Sequence, residues 1–293
     1  MDGRPRARSS AGMEPIVYRG MTQAELDSAY DNQRHVPDAA EWIAEYGRRS
    51  RAARARLAPV GPLAYGPGAR QALELYLPAR LPAPVHVFLH GGAWRALSRE
   101  EAAWHAEGVV SQGVAFAAVG FDLSTEVRLA EMVRQARAAV AWLFRHVAAY
   151  GGDPARMTIG GHSSGAHMAA MAVRDDWQGA AGLPQDVLKG AYLLSGLYEL
   201  EPVRLCYRNA LLGLDPAEAA ALSPILGRPA CPVAVGVAER ETPEFRRQCF
   251  ALAAEWGARL VFDAPGRHHY DVACDMGDPA TVAGAALSRV LAW

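Results

Sequence analysis

A chain of 293 residues is long enough to bury one large α/β core or two smaller ones. Its 51% hydrophobic and 21% charged residues are those of a globular protein, and a net charge of −1 offers no electrostatic footprint for nucleic acid or an anionic membrane. There is no unbroken apolar run of about 18 residues, so no membrane-spanning helix is expected.

Residues 1–12 are rich in Arg, Gly and Ser and lack the apolar core of a secretory signal, which predicts a disordered tail with Met13 as an alternative start. From Thr22 to about Arg56 two helical patterns make an N-terminal arm over 13–60: Thr22 caps the first, and the second runs from Asp38 through Trp42, Ile43 and Tyr46. The polar, aromatic stretch 30–37 between them is either an arm folded over a site or a plain surface connection.

Pro/Gly punctuation at 61–68 precedes 72–77, whose alternation predicts a half-buried strand. The continuous apolar run 85–89 is a second strand and leads into His90-Gly91-Gly92-Ala93-Trp94. Ser98 is expected to cap a helix reaching about Gln112, with Glu100 and Glu101 in the first turn where the helix dipole favours acid. A strand at 114–119 and a long amphipathic helix at 126–150 follow. Further strands are predicted at 157–159, 191–194, 232–237 and 259–262, with helices at 166–173, 243–256 and after Pro279. Buried strands alternating with helices argue for one α/β domain over 61–293, a mainly parallel sheet with helices on both faces. Ligands in such sheets sit beyond the carboxyl ends of the strands, so those residues are where chemistry is to be sought.

Gly161-His162-Ser163-Ser164-Gly165, between the strand at 157–159 and the helix at 166–173, has the form of a G-x-S-x-G nucleophile elbow. Glycines flank such a serine because a side chain there would collide with neighbouring backbone. The Gly91 and Gly92 N–H groups fit one half of an oxyanion hole, and the Ser164 N–H fits the other. A serine hydroxyl needs a base, and the base needs an orienting carboxylate. Of nine histidines, only His268 and His269 lie in the loop after the last strand, and His269 is favoured. Glu239 and Glu241 both follow the strand at 232–237, and position does not separate them; Asp263 and Asp271 are weaker candidates. The four cysteines, Cys206, Cys231, Cys249 and Cys274, have no metal-ligand spacing and are expected to be reduced and buried.

These motifs together resemble the kynurenine formamidase (arylformamidase) branch of the α/β-hydrolase fold, near the hormone-sensitive-lipase-like esterases. The resemblance rests on His90-Gly91-Gly92-Ala93-Trp94, the elbow through His167, the run from Thr242 to Gln248, and His269-Tyr270-Asp271. It extends to the stretches 195–202 and 209–214 and to the arm at 30–37. It implies a triad of Ser163, His269 and Glu241, the acid standing directly before Thr242-Pro243-Glu244-Phe245, where Asp is usual. Ser164 stands where alanine is common, which raises the question of which serine attacks; only the central residue of the motif reaches the apex, so Ser163 is favoured. The activity implied is cleavage of an N-formyl aryl amide such as N-formyl-L-kynurenine, tied to tryptophan catabolism, with a broad-range carboxylesterase as the alternative. A scaffold role on a degenerate hydrolase fold is disfavoured because serine, base, acid and oxyanion glycines are all present. Trp94, Tyr30 and Tyr198 are candidate aromatic walls of the pocket. No metal or cofactor is called for, the partner is a small-molecule substrate, a cytoplasmic location is expected, and a homodimer is left open.

Overall fold

In the computed structural model, which describes residues 14–293, eight strands form one sheet in the order β1-β2-β4-β3-β5-β6-β7-β8. They are β1 (Val60–Ala64), β2 (Ala72–Tyr76), β3 (Ala83–Leu89), β4 (Ala115–Val119), β5 (Gly152–His162), β6 (Ala191–Leu194), β7 (Val233–Ala238) and β8 (Leu260–Ala264). The pairs β1–β2 and β2–β4 are antiparallel, and every pairing from β4–β3 across to β8 is parallel. The tail expected at 1–12 and Met13 lie outside the described residues.

The strands alternate between two cores, because successive side chains leave a strand on opposite faces. Val85, Val87, Leu89, Ala117, Val119 and Ile159 feed one core, while Phe88, Phe116, Ala118 and Tyr192 feed the other. The strand expected to be half-buried, β2, is buried throughout, since α-helices and loops cover both of its faces. Its one carboxylate, Glu74, is paired there with Arg54 at 2.9 Å.

The helices are α1 (Gln23–Ala29), α2 (Asn32–His35), α3 (Ala39–Leu57), α4 (Ala106–Val110), α5 (Leu129–His146), α6 (Ser164–Val173), α7 (Glu201–Leu205), α8 (Asn209–Leu212), α9 (Pro216–Ala221), α10 (Pro243–Glu255), α11 (Asp271–Cys274) and α12 (Val282–Leu291). Thr22 caps α1 through a capping box with Glu25. Two expectations are corrected. The segment taken as punctuation contains β1, an edge strand that tolerates Pro62 because only one of its sides is paired. The single helix expected from Ser98 to about Gln112 is instead a 3-10 turn, Arg99–Glu101, and the short α4. The chain breaks between them because the Ala103 N–H donates to Ser50 on α3 and Trp104 turns down onto Tyr46, with ring centroids 4.6 Å apart.

The N-terminal arm crosses from one core to the other. Leu26 and Tyr30 belong to the first core and Tyr46 and Ala53 to the second, so the segment joining α1 to α3 passes over the carboxyl ends of the strands. Helix α10 holds it there. Thr242 Oγ1 donates to the Ala29 carbonyl at 2.7 Å, Tyr30 donates to Glu244 at 2.8 Å, and Gln248 Nε2 donates to the Tyr30 hydroxyl at 2.7 Å. Burial works to raise the Glu244 carboxyl, but hydrogen bonds from Arg247 and Tyr30 keep it below its ordinary range. No helix among the described residues is long and apolar enough to cross a membrane.

Candidate active site

Ser163 sits at the corner where β5 turns into α6, with φ 57° and ψ −126°. A serine held in the left-handed region costs of order 1–3 kcal/mol, and the surrounding backbone must enforce it. Its N–H donates to Leu194 O on β6 at 2.9 Å, and its carbonyl accepts from Ala166 at 3.0 Å. The flanking glycines make the corner possible. A Cβ on Gly165 would lie 2.0 Å from Leu89 O and 2.5 Å from His90 O, and one on Gly161 would lie 2.2 Å from Gly165 O. Gly165→Ala is therefore expected to cost about 3 kcal/mol of stability, as overpacking against backbone that cannot retreat. Urea unfolding compared with the parent chain checks this, and an unchanged midpoint and slope would contradict it.

His269 lies in the loop between β8 and α11. Its Nε2 is 3.0 Å from Ser163 Oγ, and its Nδ1 is 2.9 Å from Glu241 Oε2. Three rings confine the imidazole: Phe245 at 5.0 Å, His162 at 4.9 Å and Tyr270 at 5.2 Å between centroids. His162 also donates from Nε2 to the His269 carbonyl at 2.9 Å. Burial, reinforced by the neighbouring His269, drives the His162 imidazole well below its ordinary pKa, so it braces the loop as a neutral ring. His268 is turned away, with its Nδ1 accepting from the Tyr270 and Asp271 N–H groups at 3.1 Å each.

The two glutamates after β7 part company at a tight turn, in which the Glu241 N–H donates to Ala238 O at 3.2 Å. Glu239 points outward and accepts from the Gly266 N–H at 2.5 Å, clamping the start of the histidine loop. The Glu241 side chain points inward and is fully buried. Besides His269 it accepts from the Ala238 N–H at 3.1 Å and from the Ser195 hydroxyl. These donors replace the water that a buried carboxylate loses. Ser195 was not singled out from the sequence as a site residue. Its signal is that it follows β6 directly, as Ser163 follows β5, and its φ of 56° marks a backbone bent to aim the hydroxyl.

The turn after β3 carries three successive residues with positive φ, Gly92 at 104°, Ala93 at 53° and Trp94 at 61°. It curls toward the elbow, so that a Cβ on Gly91 would lie 3.3 Å from Ser163 Cβ. Among the described residues, the N–H groups of Gly91, Gly92 and Ser164 donate in no turn or loop hydrogen bond. The Ser164 hydroxyl faces away from the cavity and accepts from the Trp94 N–H at 3.1 Å.

In front of Ser163 lies a cavity of about 130 Å³. Cavities of about this size admit a single aromatic ring. Its walls come from the arm, from Gly92, Ala93, Arg95, Ala96 and Leu97, from Tyr207 and Arg208, and from Tyr46 and Tyr270. The three aromatic walls expected from sequence are corrected, because each of those rings is turned into the core. Trp94 lies behind the turn and donates from Nε1 to His167 at 3.2 Å, Tyr30 is tied to Glu244, and the Tyr198 N–H is tied to Gln248. Burial pushes His167 down to about 4, so it accepts from Trp94 and donates to Leu222 O as a neutral ring. Among the described residues no group of three His, Cys, Asp or Glu side chains is placed to hold a metal ion.

A family model described as BD-FAE matches residues 73–178. The kynurenine formamidase of Salmo salar is 34% identical over 222 residues, covering 71% of this chain and 74% of that one. The chain belongs to the kynurenine formamidase family. Among solved structures, a Silicibacter protein carrying a provisional thioesterase description has a TM-score of 0.81 at 28% identity, covering 92% of this chain and 99% of that one. The thermophilic carboxylesterase EstE1, from a metagenomic library, has a TM-score of 0.66 at 20% identity over 87% of this chain and 95% of its own, which shows the shared fold. This member of the kynurenine formamidase family is thus an α/β-hydrolase and a hydrolytic enzyme.

Proposed function

We propose that this protein hydrolyses the N-formyl amide of an aryl amine of the N-formyl-L-kynurenine type, with Ser163 as nucleophile, His269 as base and Glu241 as the orienting acid. Family membership carries the substrate class. The contacts of 3.0 and 2.9 Å at the two ring nitrogens of His269 support the roles. Ser163 Oγ attacks the formyl carbon while His269 Nε2 takes its proton. The carbonyl oxygen becomes an oxyanion received by the Gly91, Gly92 and Ser164 N–H groups, each such donor contributing on the order of 3 kcal/mol to the barrier reduction. Collapse breaks the C–N bond, and His269 hands its proton to the departing aniline nitrogen. A water then gives its proton to His269 as it attacks the formyl ester, and His269 returns that proton to Ser163 Oγ as the ester C–O bond breaks, freeing formic acid, which ionises to formate.

An anilide suits such a site because the ring shares the nitrogen lone pair, weakening the amide and easing departure of the amine. The four buried free thiols support a reducing compartment such as the cytoplasm. A short-chain carboxylesterase would use the same triad, and the esterase neighbours of the fold favour it as the second reading. The two separate on kcat/KM for N-formylkynurenine against that for p-nitrophenyl acetate. The formamide is expected to be the better substrate; ester turnover with no detectable deformylation would leave only the esterase.

A further inference from the structure

The arm segment over the cavity carries an unmet hydrogen-bond donor. Asn32 is only 3% exposed and lines the cavity in front of Ser163, yet its Nδ2 has no partner. A buried amide N–H without a protein acceptor is a donor that an arriving ligand can satisfy. Beside it, Asp31 accepts only from the Arg34 N–H at 3.3 Å and meets no cation within ion-pair distance among the described residues. Arg95 lines the same cavity from the oxyanion side and pairs with no carboxylate among the described residues. Arg208 is otherwise engaged, donating from Nε to the Tyr30 carbonyl at 2.8 Å.

A second cavity of about 150 Å³ adjoins it, and Ala93, Arg95, Tyr207 and Arg208 border both. Tyr207 marks where the charges converge: burial raises its hydroxyl, Arg208 and Arg95 pull it down, and Asp31 pushes it up. The cavity beside Ser163 is of a size to take a ring, and its lining offers a cation, Arg95, an anion, Asp31, and a neutral donor, Asn32.

From this arrangement we infer that residues of the arm and the oxyanion turn form a subsite for an α-amino-acid group on the substrate, with Arg95 taking the carboxylate, Asp31 the ammonium and Asn32 the aryl ketone between ring and tail. The inference rests on the aryl formamide reading and adds to it the residues that would prefer an amino-acid-bearing anilide over a simple one. A guanidinium that gains a carboxylate partner favours the ligand that carries one.

Calorimetric titration of the intact protein with L-kynurenine and with 2′-aminoacetophenone, which keeps the ring and ketone but has no charged tail, tests it. L-kynurenine is expected to bind about 10-fold tighter or more. Arg95→Gln, at an exposed position, and Asp31→Asn should each reduce that advantage and leave 2′-aminoacetophenone unaffected, while Asn32→Ala should weaken both ligands. Equal affinities in the parent chain, no measurable binding of L-kynurenine, or an unchanged preference in Arg95→Gln would overturn the subsite. Deformylation separates the two levels. If formanilide and N-formylkynurenine are cleaved equally well, the reaction stands and the subsite falls. If L-kynurenine binds as expected and no formamide is cleaved, the subsite stands and the reaction falls.

Discussion

Replacing Ser163 by alanine is expected to lower kcat/KM by on the order of 10⁴- to 10⁶-fold, whereas Ser164→Ala should stay within about 10-fold of the parent chain. Only Ser163 has its hydroxyl at the corner of the elbow, 3.0 Å from His269 Nε2. The Ser164 hydroxyl is spent on the Trp94 N–H, and its proposed catalytic group, the backbone N–H, survives the substitution. Losing that one hydrogen bond costs about 1 kcal/mol and loosens the oxyanion turn slightly. Steady-state rates for both variants on the same ester and formamide, with far-UV circular dichroism to confirm folding, decide the matter. Loss of activity in Ser164→Ala with retention in Ser163→Ala would refute the assignment of the nucleophile.

Glu241→Gln is expected to cost about 10⁴-fold in kcat, while Glu239→Gln costs no more than a few-fold. The glutamine fills the same space and can still accept from Ser195 and Ala238 through its carbonyl oxygen. Its NH₂ would then face His269 Nδ1 and donate to it, placing the ring proton on Nε2, where it opposes removal of a proton from Ser163. Glu239 makes no hydrogen bond to Ser163, His269 or Glu241; its carboxylate holds the Gly266 N–H, and an amide oxygen does so nearly as well. Side-by-side kinetics of the two variants provide the test, and a larger loss in Glu239→Gln would overturn the assignment of the acid.

The position of Ser163 was legible in the chain because steric exclusion is local. Glycines four residues apart, around a serine between an apolar strand and a helix former, admit few other structures. His269 was legible for a related reason, since a side chain just beyond the last strand of a parallel sheet falls at the site wherever the loop is short. The pocket walls were not legible. Trp94, Tyr30 and Tyr198 are aromatic and adjacent to the right motifs, but the direction of a ring is set by its neighbours. Three positive φ values in succession roll Trp94 behind its own turn, and Glu244 draws Tyr30 under α10.

What the sequence determined by itself is therefore most of the alternation of strands and helices, the elbow, the glycine pair after β3 and a histidine beyond the last strand. All of these follow from periodicity, from steric limits on glycine, or from the rule that places ligands at strand ends. What only the tertiary structure decided is which carboxylate turns inward and which residues line the cavity. Glu239 and Glu241 differ only in which side of a four-residue turn they leave, and that turn is fixed by contacts with the histidine loop, more than twenty residues away in the chain. Asn32, Arg95 and Tyr207 meet at one cavity because the arm is drawn across the sheet by hydrogen bonds to α10. No local pattern encodes that convergence, since its energy lies in contacts between segments that are distant in sequence.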